Sequence, residues 1–143
     1  MANQVSECVL LGFLFILAWI DLKKKEVPVI LAGACGAEGL WISCFLTDIS
    51  WGEMLGGSCV GGILLLSALA TRESIGVGDG LVFCATGLYL GLWQNIELLL
   101  LAAVSCGAVG GVLVIGRKCT RKERLPFLPF VLAAWVGMLA LSG

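Results

Sequence analysis

An aspartate framed by glycines, in Ser74-Ile75-Gly76-Val77-Gly78-Asp79-Gly80-Leu81, separates two strongly apolar stretches of the chain. A carboxylate in such surroundings is costly to strip of water, and acids so placed are usually paired, hydrated or put to chemical use. Glycines at 76, 78 and 80 free the backbone for left-handed dihedrals and for close approach to a neighbour or ligand. The plainer reading makes Asp79 the N-cap of the following helix. A second acid changes the weighing. Asp21 closes an earlier apolar stretch, 58 positions upstream and just ahead of Lys23, Lys24 and Lys25. Alone it reads as a solvated helix-end charge. Two carboxylates held within a few ångströms do not both ionise readily, and they share a proton. The ionised member can take a proton from water, which attacks a peptide carbonyl. The protonated member can polarise that carbonyl and later protonate the leaving amine.

That chemistry needs no metal, cofactor, thiol or imidazole, and the composition suits it. The chain has no histidine, and its seven cysteines (Cys8, Cys35, Cys44, Cys59, Cys84, Cys106 and Cys119) show no CxxC spacing. Zinc coordination and histidine-based nucleophilic catalysis therefore lack their usual parts, and the cysteines read as small apolar filler. Of the 143 residues, 59% are hydrophobic and 13% charged, where a soluble domain carries about 25% charged residues. The apolar runs are too long and too many for a cleaved signal peptide. The expected protein is all-α and polytopic, a single transmembrane domain over residues 1–143 surrounded by lipid, with no nucleic-acid partner.

The elements that must position the two acids follow from hydropathy. Six spans are expected, at about Val5–Ile20, Pro28–Leu46, Glu53–Ala70, Gly80–Trp93, Ile96–Ile115 and Pro126–Leu141, with Gln94-Asn95 as the link between the fourth and fifth. Pro28 is a good first-turn residue for the second. Several spans fall short of the roughly 20 residues of a full crossing. All nine basic residues, Lys23, Lys24, Lys25, Arg72, Arg117, Lys118, Arg121, Lys122 and Arg124, lie in the links after spans one, three and five. The other links carry only Asp48, Glu53 and Glu97, or no charge. Positive loops stay in the cytoplasm, so both termini are expected outside, with Asp21 and Asp79 at one depth near the cytoplasmic face. Trp19, Trp41, Trp51 and Trp93 suit headgroup belts. Small residues four apart, Gly52/Gly56, Gly57/Gly61, Gly87/Gly91 and Gly107/Gly111, would let spans three, four and five pack closely.

Here the residues resemble a known family. The stretch from Asp21 to Val27-Pro28 is similar to the first acid and helix start of type IV prepilin peptidases. Gly76-Val77-Gly78-Asp79 is similar to their GxGD signature, and Leu125-Pro126-Phe127-Leu128-Pro129-Phe130 to the proline-rich start of their last helix. The resemblance runs nearly end to end. It implies an aspartic endopeptidase of bacterial or archaeal cytoplasmic membranes, with Asp21 and Asp79 catalytic and Gly76, Gly78, Gly80 and Pro28 shaping the site. The implied substrates are type IV prepilins or pseudopilins, cut after a glycine between a basic leader and an apolar helix. Glu26, Glu73 and Glu123 read as ordinary loop charges, their pull on a basic leader offset by the lysines and arginines around them.

Three departures qualify the resemblance. Gly80-Leu81 stands where the family often has Val-Lys, and Val29 follows the helix-starting proline where Asn is frequent. No cytoplasmic domain with paired CxxC motifs is expected ahead of the first span, and the resemblance is then to the short, peptidase-only forms, with no methyltransferase activity expected. Glu38, ten residues past Pro28, is expected roughly 15 Å deep in the bilayer. It reads as a protonated carboxyl bonded to a neighbouring helix, or as a polar contact to substrate. Two other functions remain open. One is a presenilin-like protease cutting deeper within substrate helices, similar only in GxGD. The other is a non-proteolytic assembly, ion-binding or transport component.

Overall fold

The computed structural model describes residues 2–24, 26–71, 76–116 and 125–143. They form five helices: α1 (Ala2–Lys24), α2 (Val29–Phe45), α3 (Trp51–Thr71), α4 (Val77–Ile115) and α5 (Leu128–Ser142). Three of these are long and apolar enough to cross a membrane, over Gln4–Lys24, Trp51–Thr71 and Val77–Ile115, and α2 and α5 are shorter apolar helices. The chemistry of the chain favours this outcome. In lipid every backbone polar group must be satisfied inside its own segment, and a run that is apolar all round does so as a helix. The chain is an all-helical membrane protein.

Although α4 counts 39 residues, it is two helices meeting at Gly91, whose dihedrals (φ 74, ψ −171) are non-helical. The two arms, 77–90 and 92–115, fold back on each other. Thr86 Oγ1 donates to Asn95 Oδ1 at 2.7 Å, and Asn95 Nδ2 donates to the Phe83 carbonyl at 3.1 Å. A straight helix would hold residues 83 and 95 roughly 18 Å apart. The fourth and fifth expected spans therefore exist as separate arms, but not with Gln94-Asn95 as their link. The reversal falls on Gly91, in a backbone region that is essentially glycine-only. Asn95 lies fully buried inside the second arm. Its polarity reads as a loop in sequence because its partners are distant: it also donates to the Gly57 carbonyl of α3, at 2.9 Å.

The closest packing joins α3 to α4. A methyl group at Gly57 would strike the main chain of Gly87 and Gly91, and one at Gly61 the main chain of Phe83 and Cys84. Ser58 Oγ adds a hydrogen bond to the Cys84 carbonyl at 3.2 Å. Close backbone contact with polar stitching is what holds helices together where lipid is as apolar as the side chains. Only part of the expected small-residue pattern serves this purpose. Gly56 rests on Leu92, whereas Gly107 and Gly111 face open space, because the second arm turns that side away from the bundle.

Leu10, Leu14 and Leu17 of α1 share the core with Val82 and Phe83 of α4 and with Leu128, Val131 and Trp135 of α5. Helix ends sort into two groups. Glu7, Ile49, Glu53 and Gln94 line one cavity of about 300 Å³. Val27, Gly78, Phe83 and Phe127 gather at the other end. Helices joined by short links thus run antiparallel. Trp19, Trp41, Trp51 and Trp93 are all exposed on the outer surface. Lys23 and Lys24 form the last turn of α1. Lys25, Arg72, Arg117, Lys118, Arg121, Lys122 and Arg124, like Ser74, Ile75, Glu73, Glu123 and Cys119, lie outside the described residues.

Gly91→Ala forces an L-residue into the reversal and should destabilise the protein by about 1–3 kcal/mol. Gly62→Ala, at a position with nothing within 4 Å, should be neutral. Thermal midpoints of the two purified variants check the contrast.

Candidate active site

Asp21 lies within the last turn of α1, which runs on to Lys24 rather than ending at Ile20. It continues the buried stripe of Leu10, Leu14 and Leu17 at helical spacing and is itself only 5% exposed. It is therefore no solvated helix-end charge. Its Oδ2 accepts the main-chain N–H of Leu128 at 3.1 Å, and the Phe127 N–H also bonds the carboxylate. Donors for a buried carboxylate come from the start of α5, 107 positions away.

Asp79 lies in the first turn of α4. The helix starts at Val77, so Gly76 is the N-cap and Asp79 stands three residues inside, a correction to the N-cap reading and to a span beginning at Gly80. Its N–H bonds the Gly76 carbonyl at 3.1 Å. Its half-buried carboxylate folds back so closely that a Cβ at Gly76 would come 3.0 Å from Oδ2. An acid in the first turn is favoured by the free N–H groups and the positive end of the helix dipole. Asp79 also sits one turn before Val82 and Phe83, both buried, so it is on the bundle-facing side.

The glycines around Asp79 act through space and not through left-handed dihedrals. Gly76 is extended (φ −67, ψ 129), and Gly91 has the positive φ among the described residues. Gly78 is pressed against Val27, where a Cβ would collide with the valine Cβ. Gly80 is pressed against α3, where a Cβ would stand 2.8 Å from the backbone N and Cα of Leu65. The link between α1 and α2 and the wall of α3 both meet the first turn of α4. From the other side the Phe127 ring packs on Phe83, centroids 6.1 Å apart. The second arm of α4 returns to the same end, with Cys106 in electrostatic reach of Asp79.

Pro28 is the N-cap of α2 (φ −68, ψ 117) and not its first helical residue. Its carbonyl accepts the N–H groups of Leu31 and Ala32 at 3.0 and 3.2 Å. Glu38 does not join the acids. It is exposed on α2, and among the described residues it makes no hydrogen bond to a neighbouring helix. The next residue, Gly39, packs on the ring of Tyr89, and position 38, about 100° round the helix from it, is carried to the outer side. That Val27, Leu65, Phe127 and Leu128 pack around the two acids is not legible in the sequence. For Asp21 a signal was available, the 10-14-17-21 stripe; for the others the partner lies on a different helix.

What this end of the bundle holds is two acids on the inner faces of apolar helices, one tied to main-chain donors and the other at a helix start. Comparison with known proteins gives the family. Residues 8–112 match the model of the type IV leader peptidase family, and the chain belongs to that family. It is 30% identical to the prepilin leader peptidase/N-methyltransferase of Aeromonas hydrophila over 145 aligned positions, covering 96% of this chain and 50% of that protein. The corresponding protein of Aeromonas salmonicida (strain A449) is 29% identical with the same coverage. The chain thus spans about half the length of the curated relatives it matches. No solved structure matches it.

Asp21→Asn keeps an acceptor oxygen for α5, whereas Asp21→Ala leaves the N–H of the buried Leu128 without its acceptor. The alanine variant should be less stable than the asparagine variant by about 1–3 kcal/mol, read as a larger drop in thermal midpoint.

Proposed function

We propose that this chain is a membrane-embedded aspartic endopeptidase that removes the short basic leader of type IV prepilin-like proteins. Asp21 and Asp79 are the catalytic pair. The observation that carries the reading is the burial of Asp21 at the same end of the bundle as the first turn of α4, in a member of the leader peptidase family. A carboxylate there has no structural need that a neutral polar residue would not meet more cheaply.

In the reaction, the ionised acid accepts a proton from water as the oxygen adds to the scissile carbonyl. The protonated acid donates a hydrogen bond to the carbonyl oxygen, and its proton passes to the leaving amine as the C–N bond breaks. The pair titrates as a unit, so the two roles belong to the dyad. Glycine before the cut leaves room beside the crowded first turn of α4, and a frayed helix end supplies an extended peptide bond.

The same reading gives six crossings, by α1, α2, α3, the two arms of α4 and α5, with the acids near the cytoplasmic face and both termini outside. The distribution of lysine and arginine supports it. α2 and α5, of 17 and 15 residues, reach roughly 25 and 22 Å, less than the ~30 Å hydrocarbon core. Local thinning of the bilayer around them would bring water towards the acids.

The test is leader removal from a co-expressed prepilin. Asp21→Asn and Asp79→Asn should insert normally and leave the substrate uncleaved, while the unaltered chain yields a product whose mass places the cut just after the basic leader. Robust processing by either variant would remove the dyad, and a cut inside the apolar segment would mean a different protease class.

A further inference from the structure

We propose that the amino end of α5 is a positioning element for the first acid, holding Asp21 through the main-chain N–H groups of Phe127 and Leu128. The proposal rests on the reading of Asp21 and Asp79 as a catalytic pair and adds a third helix to their apparatus.

A helix start offers unbonded N–H groups, and local sequence decides which of them remain available. In α5 the first helical residue is Leu128 and the second is Pro129, which has no N–H. The N–H groups of Phe130 and Val131 are engaged by the Phe127 carbonyl, at 3.0 and 3.2 Å. The donors left at the tip are those of Phe127 and Leu128, and both go to Asp21. The Pro-Phe-Leu-Pro-Phe run therefore presents a pair of main-chain donors to an acid on α1 and to no competing group among the described residues.

Two features make this more than a cap. Main-chain donors on a helix cannot swing as a lysine or arginine can, so they fix the direction of the carboxylate as well as its place. The residue that supplies one donor also supplies the ring packed on Phe83, one turn along α4 from Asp79. The α5 entry thus touches both acid-bearing helices and sets one against the other. A reaction in which water must lie between two acids and a carbonyl is sensitive to shifts of this kind.

Side-chain substitution cannot delete a main-chain N–H, so the test uses amide-to-ester replacement in the full chain, reconstituted in lipid and supplied with a prepilin. Replacing the Leu128 N–H by oxygen should lower kcat about tenfold or more with KM changed less than about twofold. One control holds helix bonding apart from positioning. The ester at Phe130 deletes an N–H bonded to the Phe127 carbonyl and leaves Asp21 untouched. It should retain kcat within about threefold. Equal kcat for the Leu128 ester and the unaltered protein, or an equal loss in the Phe130 ester, would overturn the proposal.

A second measurement needs no ester. Amide hydrogen exchange at Leu128 should quicken in Asp21→Ala and stay slow in Asp21→Asn, and no difference between them would also overturn it. Should Asp21→Asn prove active, the catalytic reading itself fails. That result is distinct from a wild-type-like ester in a protein whose Asp21→Asn variant is inactive.

Discussion

A carboxylate buried among apolar helices must find its hydrogen-bond donors inside the protein, and this requirement organises the acid-bearing end of the molecule. Asp21 faces the core along with Leu10, Leu14 and Leu17, and the donors it finds are the free N–H groups at the start of α5. Once that bond is made, α5 is fixed at its entry, Phe127 is delivered onto Phe83, and the first turn of α4 is bounded on that side. The remaining sides are bounded by Val27 on Gly78 and Leu65 on Gly80. Each contact is local, yet together they leave the first turn of α4 little freedom.

The glycines work by what they omit. In an aqueous protein the crossing of α3 over α4 could be driven by burying larger side chains. In lipid that drive is absent, so cohesion comes from backbones that touch. Gly57, Gly61, Gly87 and Gly91 supply the contact, and Gly91 also supplies the reversal that turns one long apolar run into two antiparallel arms. Asn95 locks the reversal by bonding carbonyls of α3 and of the first arm. The framework that carries Asp79 is thus built from small residues and one buried amide, with little contribution from large side chains at the crossing.

Much of this was legible in the chain and some was not, for identifiable reasons. Long apolar runs disclose helices because lipid admits little else, and the two acids stand out because nothing around them is polar. The links were less legible. Gln94-Asn95 looks like a loop, since a polar pair in an apolar run has that meaning unless its partners are known, and those of Asn95 lie 12 and 38 positions away. Gly91 looks like one more small packing residue; its unusual dihedrals leave no trace in residue type. Glu38 invited a buried role from its depth along α2, but depth does not report direction, and the helix carries it on the outside. The tie between Asp21 and α5 spans 107 positions, beyond any periodicity, and only the family resemblance hinted that the proline-rich start of the last helix mattered.

A peptidase of this kind requires the two acids to share one pocket in the membrane. In a chain with its native cysteines replaced, Asp21→Cys and Asp79→Cys can be introduced together and exposed, in membranes, to a short bifunctional thiol reagent. Efficient intramolecular cross-linking is the predicted result, lost when either position is left as aspartate. Failure to link 21 with 79, under conditions where a pair across the α3–α4 crossing links readily, would contradict a shared site.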